Sequence, residues 1–430
     1  MIACDTRTLR QRVFSRDGLS LLVEGIGAAV LAADLVLLLR SFLVNRSIGG
    51  DEAMLAYTLF YRSSFWVTPA DLNTWVQSAP LPFILFVKLL VLIFGRTRWV
   101  LRFPAAFAYV GMLILFYLLL RRTLHFPFPI AGTACLANVA FLMRYANVFK
   151  PYAIDTMLVL LVLVLYQRYR EEKISAVWLA LIFAALVWCS NPVCFFTGAA
   201  ALWEVLCGLF GKNKKRAGRG MLLGLAACLS FLTEYLLWLK PILDAGDMSA
   251  AWVGDNFVLF PTSMEALMTM LQMVWKICYS VGSLWQLVLL LAAAAFVWNF
   301  FSARITVFPV LFCGCAITLV ASHFGFFPVS ERLFLFLLPL LMLLALNAGQ
   351  RIAEVLSRRA LLLGPCALVL LMGVLVLSGG GIRTYSDTKN VYWSYEETTM
   401  NMTYLQEHLL PDEKVYVLYR AVPGFCFENG

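Results

Sequence analysis

The sequence predicts an all-α polytopic membrane protein. Of its 430 residues, 62% are hydrophobic and only 14% are charged, whereas soluble domains carry about 25% charged residues. Many stretches are as apolar, and as long, as the roughly 17–25 residues that a helix needs to cross a bilayer. The period-two alternation typical of an outer-membrane β-barrel is absent from the sequence.

About eleven apolar stretches are predicted to span the membrane as a helical bundle. In chain order they are residues 19–43, 101–120, 128–145, 153–168, 176–192, 193–210, 221–239, 284–301, 305–322, 332–348 and 361–378. One further apolar stretch, PLPFILFVKLLVLIF at 80–94, is short, begins at a proline and contains Lys88. We predict that it lies in the membrane interface or re-enters from the outer side.

The distribution of basic residues decides this topology. With residues 80–94 not spanning, the predicted inner segments contain 18 basic residues against five acidic ones, as the positive-inside rule requires. The strongest inner segment is GKNKKRAGRG, residues 211–220. The sequence therefore predicts a multi-pass protein of the cell membrane, with its N-terminus cytoplasmic and its C-terminus outside. The net charge of +9 follows from this arrangement, and no basic patch interleaved with aromatic residues indicates nucleic-acid binding.

The chain is predicted to have two parts. Residues 1–378 form the transmembrane domain, in which residues 44–100 are a long first outer loop with interfacial helices. Residues 379–430 form a small outer α/β segment, with a helix over 394–409 and a strand over 415–419. One strand cannot form a sheet, so this tail either docks on the first outer loop or belongs to a longer domain. The eleven cysteines are scattered singly and predict no metal site.

Two adjacent acids, Asp51 and Glu52, open the segment DEAMLAYTLFYRS in the first outer loop. Its apolar residues fall mostly on one helical face, which predicts an amphipathic helix on the membrane. Acids in a first helical turn are stabilised by the helix dipole by about 0.3–1 kcal/mol. A carboxylate at the water–lipid boundary could equally deprotonate an acceptor hydroxyl. Both interpretations stay open at this stage.

The order of motifs around these acids resembles the GT-C superfamily of polyprenyl-phosphate-sugar glycosyltransferases. The closest branch is the protein-mannosyltransferase and aminoarabinose-transferase type, glycosyltransferase family 39 and its relatives. The motifs are, in order, Asp51-Glu52 after the first span, Pro80 opening an interfacial helix, Phe94-Gly95 ending it, and Arg102-Phe103-Pro104 opening the second span. FKPYAID at 149–155 and FPVSERLFLFLLPL at 327–340 also resemble bacterial members, and the resemblance covers roughly residues 1–380.

One feature departs from this family. Some members carry an acidic–basic pair directly before the proline of the interfacial helix, where this chain has Gln77-Ser78-Ala79. The second acid and the lysine that binds the lipid phosphate must then come from elsewhere, or the substrate differs.

Lys150 is the candidate replacement for that lysine. It lies in a short outer turn with Tyr152 and Asp155, where Lys and Tyr are also common as interfacial anchors. Arg332, at the outer end of the tenth predicted span, would be a second cation on the leaving phosphate, or would pair with Glu331.

The resemblance implies an integral membrane glycosyltransferase. It would move a sugar from a polyprenyl-phosphate carrier to a hydroxyl of a glycan, lipid or protein at the outer face of the membrane. Asp51, beside Glu52, would act as the base in an inverting displacement. The donor phosphate would be held by Lys150, Arg332, Tyr152 and Arg102, with Asp155 and His323 as weaker candidates.

No cofactor is required if two cations already serve the phosphate. Some members of the family use a divalent cation, for which Asp51 would be a ligand. The alternative function is a transporter or a flippase of lipid-linked sugars. Asp34, near the middle of the first predicted span, favours this alternative, because buried charges in membranes often mark transport pathways. A catalytically inactive scaffold is a further alternative.

Overall fold

The computed structural model describes residues 17–62, 66–73, 75, 77–244, 256–302, 307–387, 398–410 and 412–429. These residues are mostly helical and contain no β-strand. Six of their helices are long and apolar enough to cross a membrane, and five shorter apolar helices accompany them. The predicted class, a polytopic helical membrane protein, is confirmed. The four predicted inner arginines before residue 17 and residues 394–397 of the predicted tail helix lie outside the described residues.

The first part of the chain contains the first outer loop and the first seven predicted spans, and its helices come from both. They are α1 (Asp17–Leu43), α2 (Gly50–Tyr57), α3 (Pro69–Asn73), α4 (Leu81–Phe94), α5 (Arg98–Leu118), α6 (Pro129–Ala137), α7 (Ala140–Tyr145), α8 (Tyr152–Arg170), α9 (Ala176–Cys189), α10 (Val193–Phe210), α11 (Lys214–Glu234) and α12 (Lys240–Asp244). π-helical turns continue α2, α5 and α11 over Thr58–Arg62, Leu119–Leu124 and Tyr235–Leu239.

The second part contains the remaining predicted spans and the tail. Its helices are α13 (Met264–Tyr279), α14 (Trp285–Ser302), α15 (Val307–His323), α16 (Leu337–Ser357), α17 (Leu363–Gly379), α18 (Gly381–Ser386), α19 (Thr398–His408) and α20 (Val422–Asn429). A short 3₁₀ turn, Tyr419–Ala421, precedes α20. The sequence did not predict α13, which lies between the seventh and eighth predicted spans and whose first turn is capped by the Ser263 side chain.

The third predicted span, 128–145, is not one helix. It breaks between α6 and α7 because Asn138 binds the end of α17 instead of continuing the helix. The Asn138 carbonyl accepts from Gly381 N at 2.7 Å, and its side-chain oxygen accepts from Ile382 N at 2.6 Å. The neighbouring Val139 forms an isolated bridge with Gly380. A distant partner therefore overrides the hydropathy of this stretch.

Two other boundaries differ from the prediction. The tenth span was placed at 332–348, whereas α16 begins at Leu337 and ends at Ser357, with turns over residues 331–336. The strand predicted over 415–419 does not form, and its last residue begins the 3₁₀ turn. A strand needs a hydrogen-bonded neighbour, and the described residues supply none here.

Helix α4 begins and ends at the same end of the bundle. At its start, the Ala79 carbonyl accepts from Trp238 Nε1 at 3.0 Å. Just after its end, Arg98 donates to the carbonyl of Asn45, which directly follows α1 and its last turn, at 2.9 Å. With 14 residues, α4 is about 21 Å long, shorter than ~30 Å of hydrocarbon. This geometry supports the prediction that residues 80–94 do not cross the membrane.

The elements of the first outer loop share a small apolar core at this end of the bundle. It is formed by buried residues of α2, α4 and the neighbouring turns, among them Ile48, Leu55, Leu59, Phe83, Ile84, Val87 and Phe149. We refer to this region as the loop end. The main core lies in the bundle itself, where α16 is buried along most of its length.

The opposite end is held by a separate polar network. Glu204 of α10 is fully buried and binds Arg216 of α11 through two hydrogen bonds, at 2.9 and 3.0 Å. It also accepts from Tyr166 of α8 at 2.6 Å and from Arg170 at 3.3 Å. The two arginines lie in predicted inner segments, so this network stabilises the end of the bundle that we predict to face the cytoplasm.

Labelling of single introduced cysteines with a membrane-impermeant maleimide tests the topology. Trp66, which is 69% exposed, precedes α4, Arg96 follows it, and Lys214 lies at the opposite end. We expect cysteines at 66 and 96 to react from the same side of the membrane, and a cysteine at 214 to react from the other. The natural cysteines are the background control. Reaction of positions 66 and 96 from opposite sides would mean that α4 crosses.

Candidate active site

The centre of the loop end is a buried ion pair between Glu52 and Arg102. Both side chains are about 95% buried, and they meet through two parallel contacts, Nε to Oε1 at 3.0 Å and Nη2 to Oε2 at 2.9 Å. Glu52 reaches this position because it lies in the first turn of α2, where its carboxylate also accepts from Gly49 N at 3.1 Å. Arg102 comes from the first turns of α5.

This pair connects three segments of the chain. Glu52 Oε1 accepts from Phe149 N at 2.6 Å, in the turn between α7 and α8. Arg102 donates to the carbonyls of Arg46 at 2.8 Å and Ser47 at 2.9 Å, just before α2. Burial alone would raise the pKa of the Glu52 carboxyl, but the Arg102 guanidinium outweighs it and lowers the pKa to about 2. Glu52 is therefore ionised, and both of its carboxylate oxygens accept hydrogen bonds.

Asp51 faces a different environment from its neighbour. Successive helical residues point about 100° apart, and the Asp51 side chain is 47% exposed. Its Oδ1 lies 3.1 Å from Lys150 Nζ and its Oδ2 lies 3.2 Å from Arg332 Nη1. Burial raises the pKa of Asp51, but the two cations lower it by more, so the pKa lies below its usual value. The result is an accessible carboxylate between two cations.

Lys150 is buried, with only 5% of its side chain exposed. An outer turn would ordinarily leave a lysine exposed to water, and here it does not. Its ammonium group donates to Gln77 Oε1, and Gln77 Nε2 donates to the Trp75 carbonyl at 3.0 Å. Burial lowers the pKa of Lys150, and the Asp51 charge opposes part of this shift. The turn is buried because Phe149 packs into the apolar core of the loop end.

Gln77 is the site residue that the sequence analysis did not assign. It lies at residues 77–79, where the sequence departs from the GT-C pattern, and it accepts a hydrogen bond from Lys150, the predicted replacement for the lysine of that pattern. The departure from the family pattern at residues 77–79 was the available signal. The sequence could not show what Gln77 does, because its contact with Lys150 joins residues that are 73 positions apart.

Two tyrosines flank the charged group. Tyr152, the first residue of α8, packs edge-on against Tyr145, with ring centroids 5.5 Å apart. The charges of Asp51 and Arg332 both act on Tyr152. Of the predicted site residues, Lys150 and Arg332 thus contact Asp51, and Tyr152 lies near them.

Three candidate residues lie elsewhere. Arg102 is buried against Glu52 and two backbone carbonyls, so we assign it to holding the loop and not to phosphate binding. His323 ends α15 and accepts a hydrogen bond from Leu259 N at 3.3 Å. Asp155 is buried one turn into α8, beside Ser190. The structure therefore gives none of the three a direct part in the Asp51 group.

The C-terminal tail docks on the first outer loop, which was one of the two alternatives for it. Glu428 of α20 forms an ion pair with Arg98. Phe427 is buried in the apolar core of the loop end. At the start of α19, Thr399 N donates to Ser47 Oγ at 2.9 Å. The tail thus packs against the same segment that carries the ion pair of Glu52.

The surroundings of Asp51 do not fit a divalent cation. Both of its oxygens face positively charged side chains at 3.1 and 3.2 Å, which would repel a metal ion. Over the described ranges, no group of three or more His, Cys, Asp or Glu residues could hold one. The arrangement suits an anion instead, because one carboxylate does not neutralise two cations.

We expect Glu52→Gln to destabilise the loop end much more than Asp51→Asn. The first change leaves the buried Arg102 without a charged partner, which typically costs about 3–5 kcal/mol. The second removes the charged partner of Lys150, but Lys150 keeps its bond to Gln77 and Asp51 is itself half-exposed, so we expect a smaller cost. Thermal unfolding of the purified protein in detergent at pH 7 measures both. Equal melting temperatures of the two variants would contradict the structural role of Glu52.

Comparison with models of known protein families gave no match for this chain. Comparison with curated protein sequences gave no match either.

Proposed function

We propose that this protein is an integral membrane glycosyltransferase of the cell membrane. It would move a sugar from a polyprenyl-phosphate carrier to a hydroxyl of a glycan, lipid or protein. The observation that carries the proposal is the contact of an accessible carboxylate, Asp51, with the cations of Lys150 and Arg332. These groups lie at the end of the bundle that we predict to face outward, with the N-terminus cytoplasmic and the C-terminus outside.

The two cations suit the phosphate of the carrier. A phosphodiester placed between Lys150 and Arg332 would receive charge-assisted hydrogen bonds from both. It would also compete with Asp51 for them. In the structure these cations lower the pKa of Asp51, which makes it a weak base. Binding of the donor phosphate would therefore release Asp51 and strengthen it as a base only when the donor is present.

The chemical step that we propose uses these groups as follows. The acceptor oxygen attacks the anomeric carbon from the face opposite the phosphate, and the bond from that carbon to the phosphate oxygen breaks. Asp51 takes the proton of the acceptor hydroxyl, as a general base does. The bonding electrons leave with the carrier phosphate, whose increasing charge Lys150 and Arg332 stabilise. The configuration at the anomeric carbon is inverted.

The alternative is a transporter or flippase of lipid-linked sugars. It is favoured by Asp34, which is fully buried in α1, with both carboxylate oxygens lacking a hydrogen-bond partner among the described residues. Intramembrane acids of this kind are functional candidates by default. Assay of sugar transfer by the purified protein in detergent separates the two functions. A glycosyltransferase forms a glycosylated product, whereas a transporter or flippase forms none.

Asp51→Asn tests the assignment of the base. Loss of a general base typically lowers the rate by about 10²–10⁴-fold, and we expect a loss of this size in sugar transfer by a variant that still folds. The measurement is transfer from a radiolabelled polyprenyl-phosphate sugar. Asp71→Asn is the matched control, because Asp71 is an acid of the same loop that binds Thr68 instead. Near-normal turnover of Asp51→Asn would refute the proposed mechanism.

Arg332→Gln tests the phosphate site. Hydrogen bonds to charged groups contribute about 1.5–3 kcal/mol, so we expect roughly 10–100-fold weaker binding of the donor. Arg332 is the better first variant because its side chain is 35% exposed, whereas Lys150 is buried. Arg121→Gln, an exposed arginine in the π-helical turn after α5, is the control. Unchanged donor affinity in both Arg332→Gln and Lys150→Met would contradict the site.

A further inference from the structure

A second group of oxygen-bearing side chains lies between three membrane helices and is not used by the proposed reaction. Asp155 is in the first turn of α8 and Glu234 is the last residue of α11. Ser190 and Asn191 form the turn between α9 and α10. Asp155 is 8% exposed, Glu234 is 1% exposed and Ser190 is fully buried.

The helix packing brings these residues together. Ser230 Oγ of α11 donates to the Ala184 carbonyl of α9 at 2.6 Å, which fixes the register of the two helices. Since α9, α10 and α11 are consecutive and joined by short turns, α9 and α11 run in the same direction. Glu234, one turn after Ser230, is therefore level with the end of α9 and the turn that follows it.

Asp155 approaches the same turn from α8. Its carboxyl lies beside the Ser190 hydroxyl, although the two do not reach hydrogen-bonding geometry, and its charge acts on Glu234. The group thus combines two carboxylates and a hydroxyl, with the amide of Asn191 next in the chain.

The oxygens of this group lack partners. Over the part of the chain that the structure describes, this holds for both carboxylate oxygens of Glu234 and for Asp155 Oδ1, Ser190 Oγ and Asn191 Oδ1. The ion pairs between described residues include neither carboxylate. Buried polar groups almost always have partners, and an uncompensated buried charge is strongly destabilising.

Other buried acids of the chain have their negative charge balanced by arginines. Glu52 meets Arg102, and Glu204 meets two arginines and a tyrosine. Asp34 also lacks partners, but its carboxyl is not part of such a group. At Asp155 and Glu234 two unpartnered acids lie near the unpartnered Ser190 hydroxyl, and the next residue, Asn191, has an unpartnered oxygen too.

We infer that Asp155, Glu234, Ser190 and Asn191 form a binding site for a hard divalent cation, Mg²⁺ or Ca²⁺. The donors are all oxygens, which these ions prefer. Two carboxylates balance a charge of two. The bound ion would join α8, α11 and the turn between α9 and α10. It would thereby fix the start of α8, which carries Tyr152 beside Asp51. The site stands independently of the proposed sugar transfer.

Titration of the purified full-length protein with Mg²⁺ or Ca²⁺ alone tests this inference. Bound metal is first removed with a chelator, and binding is measured by isothermal titration calorimetry. We expect saturable binding of one of the two ions. We also expect the melting temperature to rise with its concentration, as for any ligand that binds the folded state. Comparing Mg²⁺ with Ca²⁺ identifies the ion.

Asp155→Asn and Glu234→Gln should each weaken this binding by roughly tenfold or more and remove the metal-dependent rise in melting temperature. Asp34→Asn is the matched control, since it changes an unpartnered buried acid of another helix and should leave metal binding unchanged. If either variant fails to fold, the titration of the unaltered protein still decides.

Absence of binding of both ions to the unaltered protein would overturn the inference, as would equal binding by all variants. If no metal binds and both Asp155→Asn and Glu234→Gln raise the melting temperature, the metal site is overturned. That result would show instead that the two acids are neutral and share a proton. None of these measurements uses sugar transfer, so the failure of the metal site and the failure of the proposed function are distinguishable.

Discussion

The geometry of the loop end depends on the buried pair of Glu52 and Arg102. Removing two charges from water is expensive, and a buried pair is tolerated only when its remaining hydrogen-bonding capacity is used. Here Glu52 accepts from Arg102, Gly49 and Phe149, and Arg102 also donates to two carbonyls before α2. The pair contributes specificity of position more than net stability: it fixes the start of α2 against α5 and the turn before α8.

Fixing these three segments determines the environment of Asp51. Because Glu52 points inward, its neighbour must point elsewhere, toward the exposed side of the loop end. Because Phe149 N is held by Glu52, Lys150 follows at a defined place and its ammonium meets both Asp51 and Gln77. Two adjacent acids of the same charge thus acquire different environments from helix geometry and from the turn that docks on it.

Much of the fold could be predicted from sequence because hydropathy and charge are local signals. Helices such as α1, α10 and α17 lie within a few residues of their predicted spans. The break at Asn138 could not be predicted, since it depends on hydrogen bonds to Gly381 and Ile382 far along the chain. In the candidate site, Asp51 and Lys150 were selected by residue type and position, and the structure brings the two into contact. The burial of Lys150 and the part of Gln77 were not, because they arise only when distant loops dock.

The charge balance of the site accounts for why two cations would suffice in the proposed reaction. Asp51, Lys150 and Arg332 together carry a charge of about +1, and the phosphodiester of a carrier-linked sugar would neutralise it. During transfer Asp51 gains a proton and becomes neutral, while the carrier phosphate becomes a monoester whose charge approaches −2 near neutral pH. The total remains near zero before and after the step. The step thus moves negative charge from the carboxylate to the phosphate, beside two cations that are already in position, and charges fixed before the reaction stabilise such a shift without rearranging.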